Sequence, residues 1–299
     1  VPAPAPPERR RQRSRHRHAV RHHRRPAHAY HRSARHPAES RPTERNPHPM
    51  RPTDRPTLVA VAHGSRDPRA LSTVTALLDR VRELRPGLDV RLGHVELNEP
   101  LLDDTLRSLG TTPTVLVPLL LSRGHHVKHD LPRAAAAVPG GDIRIARPLG
   151  PHPLLAEALA ARLAEAGWRP RDGSSRNAGV VLASAGSRDP ESAADTRRMA
   201  DMLGERLGGV PVVPAYASAL APTVPAAVKA LTARGRHRIA VASYFAAPGL
   251  FAGRSAAAAP WIAAEPLGTH PALARLLLHR YDQARALPRA VRRLELSAA

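Results

Sequence analysis

The stretch TLVAVAHGSRDP, residues 57–68, decides the fold, because it returns as GVVLASAGSRDP at 179–190. In both places a short, nearly continuous apolar run stops at a small polar loop. A run of that length bounded by turn residues reads as a buried parallel strand. The Asp-Pro that follows is a helix start, since Asp suits the cap and Pro the first turn. The chain is therefore built from a strand–loop–helix unit used twice.

The repeat extends beyond this pair. HVELNEP at 94–100 faces YASALAP at 216–222, LLLSRGHHVKHD at 119–130 faces YFAAPGLFAGRS at 244–255, and LGPHP at 149–153 faces LGTHP at 267–271. Strands are expected at 57–62, 89–96, 114–121 and 143–148, and again near 178–184, 210–217, 238–245 and 261–265. Helical spacing fills the intervals, as in Leu71, Val74, Leu77, Leu78 and Val81. The last helix of the first copy is expected to end near Gly167, and the third to run from about His129 to Val138. Strict alternation of strand and helix predicts an α/β protein of two tandem domains. Each is a parallel sheet of about four strands with helices on both faces. The expected boundaries are 57–167 and 178–286, with RPRDGSSRN inside a polar linker at 168–177.

Composition removes several chemistries. There is no cysteine among the 299 residues, which excludes disulfides, thiolate metal sites and thiol nucleophiles. Apolar runs such as TVLVPLLL at 114–121 are far too short to span a membrane, so a cytoplasmic protein is expected. The formal charge of +21 is unevenly spread: residues 1–56 hold fifteen arginines against Glu8, Glu39, Glu44 and Asp54. That segment, with eight histidines and many prolines, has no core-forming pattern and reads as a disordered basic tail outside the functional unit. Met50 is the expected start of that unit, and 287–299 reads as a second tail.

The copies differ where chemistry would reside. His63 faces Ala185, Glu96 faces Ser218, and His126 faces Phe251. All three stand at or just past the carboxyl ends of expected strands, where open α/β sheets bind their ligands. Two histidines and a carboxylate are ligands suited to a divalent first-row metal. One site kept and one lost explains the pattern. No H-E-x-x-H, G-x-S-x-G, P-loop or dinucleotide fingerprint follows a strand.

HGSRD, VELNEP and the Gly124–Pro132 segment, in that order, resemble the class II tetrapyrrole chelatases, in the sirohydrochlorin branch and its long two-copy form. The resemblance is strong over 57–167 and weaker over 178–285. It implies that His63, Glu96 and His126 hold the metal, with His63 and His126 catalytic. It further implies insertion of Co2+ or Fe2+, as substrate and not resident cofactor, into a carboxylate-rich sirohydrochlorin-type tetrapyrrole for cobalamin or sirohaem. Arg66, Arg123, Lys128, Arg188 and Arg254 are the expected carboxylate partners. His125 reads as exposed or supporting, Asp130 and Pro132 as shaping the next helix, and His152 and His270, present in both copies, as scaffold. A non-catalytic divalent-metal carrier is the alternative, and nucleic-acid association through the tail a third reading.

Overall fold

The computed structural model describes residues 55–218 and 220–287, so the expectations for the two tails fall almost wholly outside the described residues. The first half runs β1 (Thr57–Ala62), α1 (Pro68–Leu84), β2 (Val90–His94), α2 (Leu102–Leu109), β3 (Thr114–Pro118), α3 (Leu131–Ala136), β4 (Ile143–Ile145) and α4 (Pro153–Glu165). A short α5 (Pro170–Gly173) leads to β5 (Ala178–Ser184), α6 (Pro190–Arg206), β6 (Val212–Tyr216), α7 (Val224–Ala233), β7 (Arg238–Ser243), α8 (Leu250–Ala257), β8 (Ile262–Ala263) and α9 (Pro271–Ala286). The strands form two parallel four-stranded sheets, ordered β2-β1-β3-β4 and β6-β5-β7-β8. The expected architecture is the observed one.

Strand periodicity of two sends alternate residues to opposite faces. From β1, Leu58, Ala60 and Ala62 enter a large central core that also takes Leu77 and Leu78 of α1, Leu155 and Leu159 of α4, and Leu273 and Leu277 of α9. Val59 and Val61 face the other way, onto Leu102, Leu106 and Leu131. The same split recurs at β5, where Val180 and Leu182 join the central core and Val181 and Ala183 pack on Ala227 and Leu231 of α7.

The last helix of each half crosses to the other. α9 packs on β3 and α1, and α4 packs on β7 and α6. One core is thus shared between the two sheets, and the crossing is pinned by polar contacts. Tyr281 Oη donates to the Pro56 carbonyl at 2.7 Å, and Arg85 grips Asp282 through two bonds of 2.6 and 2.8 Å.

Two local departures from expectation have physical causes. The third helix begins earlier than His129, as a π-turn over His126–Asp130 in which the Leu131 N–H reaches back to the His126 carbonyl. Pro132 has no N–H to give Lys128, so the regular ladder cannot form there and the turn widens. The segment read as a polar linker is anchored instead. Asp172, 1% exposed, accepts the Arg169 N–H at 2.8 Å and lies 3.2 Å from Arg238, while buried Trp168 meets Trp261 with ring centroids 5.8 Å apart.

His152 and His270 cap α4 and α9. Each ring accepts, through Nδ1, the N–H two residues on, at 3.2 and 3.1 Å. An accepting Nδ1 must be unprotonated, and burial, with Arg280 and His279 nearby, pushes His152 down to about 4. The folded state therefore binds fewer protons than the unfolded chain between about pH 6.5 and 4, so this contribution is complete above 6.5 and is lost as pH falls towards 4. An Asn keeps the capping oxygen without titrating. His152→Asn is expected to lose less thermal stability than wild type between pH 7 and 4.5, measured by thermal denaturation at both pH values.

Candidate metal centre and its cleft

β1 is flanked by β2 and β3, so the loops leaving these three adjacent strands open onto one sheet edge. His63 directly follows β1, Glu96 lies two residues past β2, and His126 opens the π-turn beyond β3. The first two are locked in register by backbone: the Val95 N–H donates to the Ala62 carbonyl at 2.9 Å and the Glu96 N–H to that of His63 at 3.0 Å. Gly64, at φ 104°, lets this happen, since a Cβ there would stand 1.9 Å from the Glu96 carbonyl oxygen. The second copy keeps the frame. Ala217 and Ser218 donate to Ser184 and Ala185, both at 2.9 Å, and a Cβ on Gly186 would be 2.1 Å from the Ser218 oxygen. What the second copy has lost is side chains, not geometry.

The three residues meet in pairs. His63 Nδ1 is 3.5 Å from Glu96 Oε1, and the His63 and His126 rings stand edge to face with centroids 4.7 Å apart. Two imidazoles sharing one ion at a metal–nitrogen distance of about 2.1 Å have centroids roughly 4.5–5.3 Å apart. The observed separation falls within that range. Among the described residues no three His, Asp or Glu side chains already form a closed metal cluster, so the three-ligand shell expected from sequence is not preassembled.

The fourth member was not recognised in the sequence. Asp130 Oδ2 lies 2.7 Å from His126 Nδ1, one helical turn on, and fixes the ring so that Nε2 is free. A carboxylate behind a ligating histidine sets its tautomer and orientation. The His-x-x-x-Asp spacing carried that signal, and reading Asp130 only as a helix-shaping residue missed it. The charge of Asp130 is itself favoured by this hydrogen bond, against the opposing effect of burial. His63 is pushed below the ordinary imidazole value by burial first and by His126 second, with Glu96 opposing. A neutral imidazole is the ligand form.

These groups open into a cleft of about 890 Å³ between the two halves, a usual size for a small-molecule site. Its second-half wall includes Ala185, Ser218, Tyr244, Phe245 and Phe251. Leu71, Leu97, Leu250 and Phe251 leave 38%, 53%, 63% and 38% of their surface exposed, and all four line this cleft. Exposed apolar side chains gathered at one place mark a binding surface. The chain has two phenylalanines, and both are here. A smaller hollow of about 550 Å³ along β2 contains none of the candidate ligands.

The five expected carboxylate partners separate. Arg66 is exposed, lines the cleft and makes no ion pair among the described residues. Arg123 lines it too, but its guanidinium is taken: Nε and Nη2 bind Asp195 at 2.9 and 2.6 Å, Nη1 binds Glu191 at 2.5 Å, and its backbone N–H also donates to Asp195 at 3.0 Å. Lys128 Nζ pairs with Asp189 and Glu191 at 2.6 and 2.5 Å. Both hold the His126 loop to the start of α6, so the two cations expected as substrate carboxylate partners are engaged by acids of the second copy. The acids explain why. Glu191 and Asp195 stand where the first copy has Arg69 and Thr73, so only one direction of the interface carries complementary charge. Arg188 and Arg254 are exposed and lie outside the cleft lining.

Fold and repeat define a two-copy α/β protein in which His63, Glu96 and His126 of the first copy line one cleft between the halves. The CbiX family model matches residues 57–166 and 179–284, and the chain belongs to that family. It is 30% identical over 172 residues to the sirohydrochlorin ferrochelatase of Bacillus subtilis, a match spanning 55% of this chain and 64% of that relative. It is 28% identical over 128 residues to the sirohydrochlorin cobaltochelatase of Methanosarcina barkeri, which covers 38% of this chain and 98% of the other. The structure of SirB from Bacillus subtilis with Fe3+ shares the fold, with a TM-score of 0.61 at 24% identity, over 78% of this chain and 96% of that one. No helix among the described residues is long and apolar enough to cross a membrane.

Proposed function

We propose that this protein is a sirohydrochlorin chelatase that inserts Co2+ or Fe2+ into a carboxylate-rich tetrapyrrole, using the first copy as the catalyst and the second as the facing wall. The observation that carries the reading is the His63–His126 pair, spaced for one ion, at the floor of an apolar cleft. The metal is a substrate here. His63 and His126 hold it, and Glu96 adds a carboxylate.

Insertion exchanges one divalent ion for two pyrrole N–H protons. As the ion leaves for the ring nitrogens, two imidazole nitrogens become free, and these can take up the two protons. Glu96 beside His63 and Asp130 beside His126 stabilise the cations so formed. Leu97, Leu250 and Phe251 offer apolar surface to the macrocycle, and Arg66 is the cation placed to meet a peripheral carboxylate. No resident cofactor is needed for these steps. Cytoplasmic location is part of the same proposal.

The test is anaerobic incubation of the protein with sirohydrochlorin and either ion, followed by absorbance. A chelatase shifts the tetrapyrrole spectrum at a rate proportional to protein. A carrier binds the ion and leaves the rate at the protein-free value, which would refute the enzyme reading. The faster of the two ions identifies the branch served.

A further inference from the structure

We propose that His125 and His129 form an outer docking site for a divalent first-row ion at the mouth of the cleft, one step from the inner pair. Both residues are exposed. Their rings lie 4.7 Å apart at an interplanar angle of 39°, the same centroid separation as the inner pair. His125 has helical backbone angles, φ −52° and ψ −49°, and the π-turn continues from it, so residues four apart are brought to one face. Two imidazoles with water completing the shell bind Co2+, Ni2+ or Zn2+ reversibly, as a docking site requires.

The two pairs are contiguous. His125 stands 6.2 Å from His126, which stands 4.7 Å from His63, so four imidazoles follow one another in steps of 4.7, 6.2 and 4.7 Å. The neighbouring cation is drawn aside, because Lys128 is paired with Asp189 and Glu191. The second copy, which lacks the inner ligands, has Leu250 and Arg254 at the matching positions. The outer pair therefore occurs only beside the copy that can use it. With a planar macrocycle seated in the cleft, an ion waiting on these rings has a high local concentration at His126. This feeding role rests on the chelatase reading, while the metal site itself does not.

Two measurements on the full chain separate the two. In titrations with Co2+ alone, the His125→Ala/His129→Ala protein is expected to bind one equivalent fewer than wild type, and the His63→Ala/His126→Ala protein to keep that equivalent. In insertion assays, the outer double variant is expected to raise the Michaelis constant for Co2+ by about 10-fold, well beyond any fall in kcat. Unchanged Co2+ stoichiometry in the outer variant overturns the site, whatever the protein does to tetrapyrroles. Loss of the equivalent with an unchanged Michaelis constant overturns the feeding role. A wild type that inserts no metal defeats the chelatase reading, and the titration still decides the outer site.

Discussion

Replacing His63 by alanine is expected to slow metal insertion by a factor of roughly 10²–10⁴, the usual worth of a positioned proton-transfer group. The size follows from what the side chain does. It supplies one of two imidazoles spaced for a single ion, and it is held beside Glu96 by the backbone bond between residues 63 and 96. Stability should hardly change, because 46% of the side chain is open and its backbone contacts survive the substitution. Insertion kinetics and a melting curve on the same sample check both halves of the expectation. A large drop in melting temperature would make His63 a structural residue, and a rate within a few-fold of wild type would remove it from the reaction.

The second large effect is on folding. Arg123→Ala should destabilise the protein by about 2–3 kcal/mol. The Asp195 carboxylate is 6% exposed and would lose every guanidinium bond it has. Orphaning a fully buried partner costs about 3–5 kcal/mol. Arg123 is itself 42% exposed, so water can enter the space it leaves, and the lower figure applies. For a protein of this size the melting temperature should fall by roughly 5–10 °C. A substrate ligand would behave differently, with a raised Michaelis constant for the tetrapyrrole and an unchanged melting temperature. That second pattern would restore the assignment made from sequence alone.

The contrast between these residues shows how much was legible in the chain. Strand and helix order could be read because the strands are short apolar runs with Gly and Pro at their ends, and because the same order appears twice. The candidate ligand set could be singled out because duplication supplies an internal control: Ala185, Ser218 and Phe251 stand where the first copy has His63, Glu96 and His126. The crossing of α4 and α9 was hidden, since apolar periodicity says that a helix packs but not on which sheet. The fate of Arg123 and Lys128 was hidden for a related reason. A basic residue near a cleft looks the same in sequence whether it meets a substrate or an acid 60 or more residues away, and Glu191 and Asp195 sit on a helix of the other copy. Asp130 was visible as a residue but not as a partner, because the turn carrying it widens at Pro132 and was expected to begin three residues later.

The central claim is that the first copy holds the one working site, built on His63 and His126. Its most direct test is the initial rate of Co2+ insertion into sirohydrochlorin, followed by absorbance, for wild type and for His63→Ala/His126→Ala at equal folded concentration. The account predicts a double variant indistinguishable from the protein-free control, with the melting temperature retained. A double variant that still inserts metal at a rate close to that of wild type would contradict it.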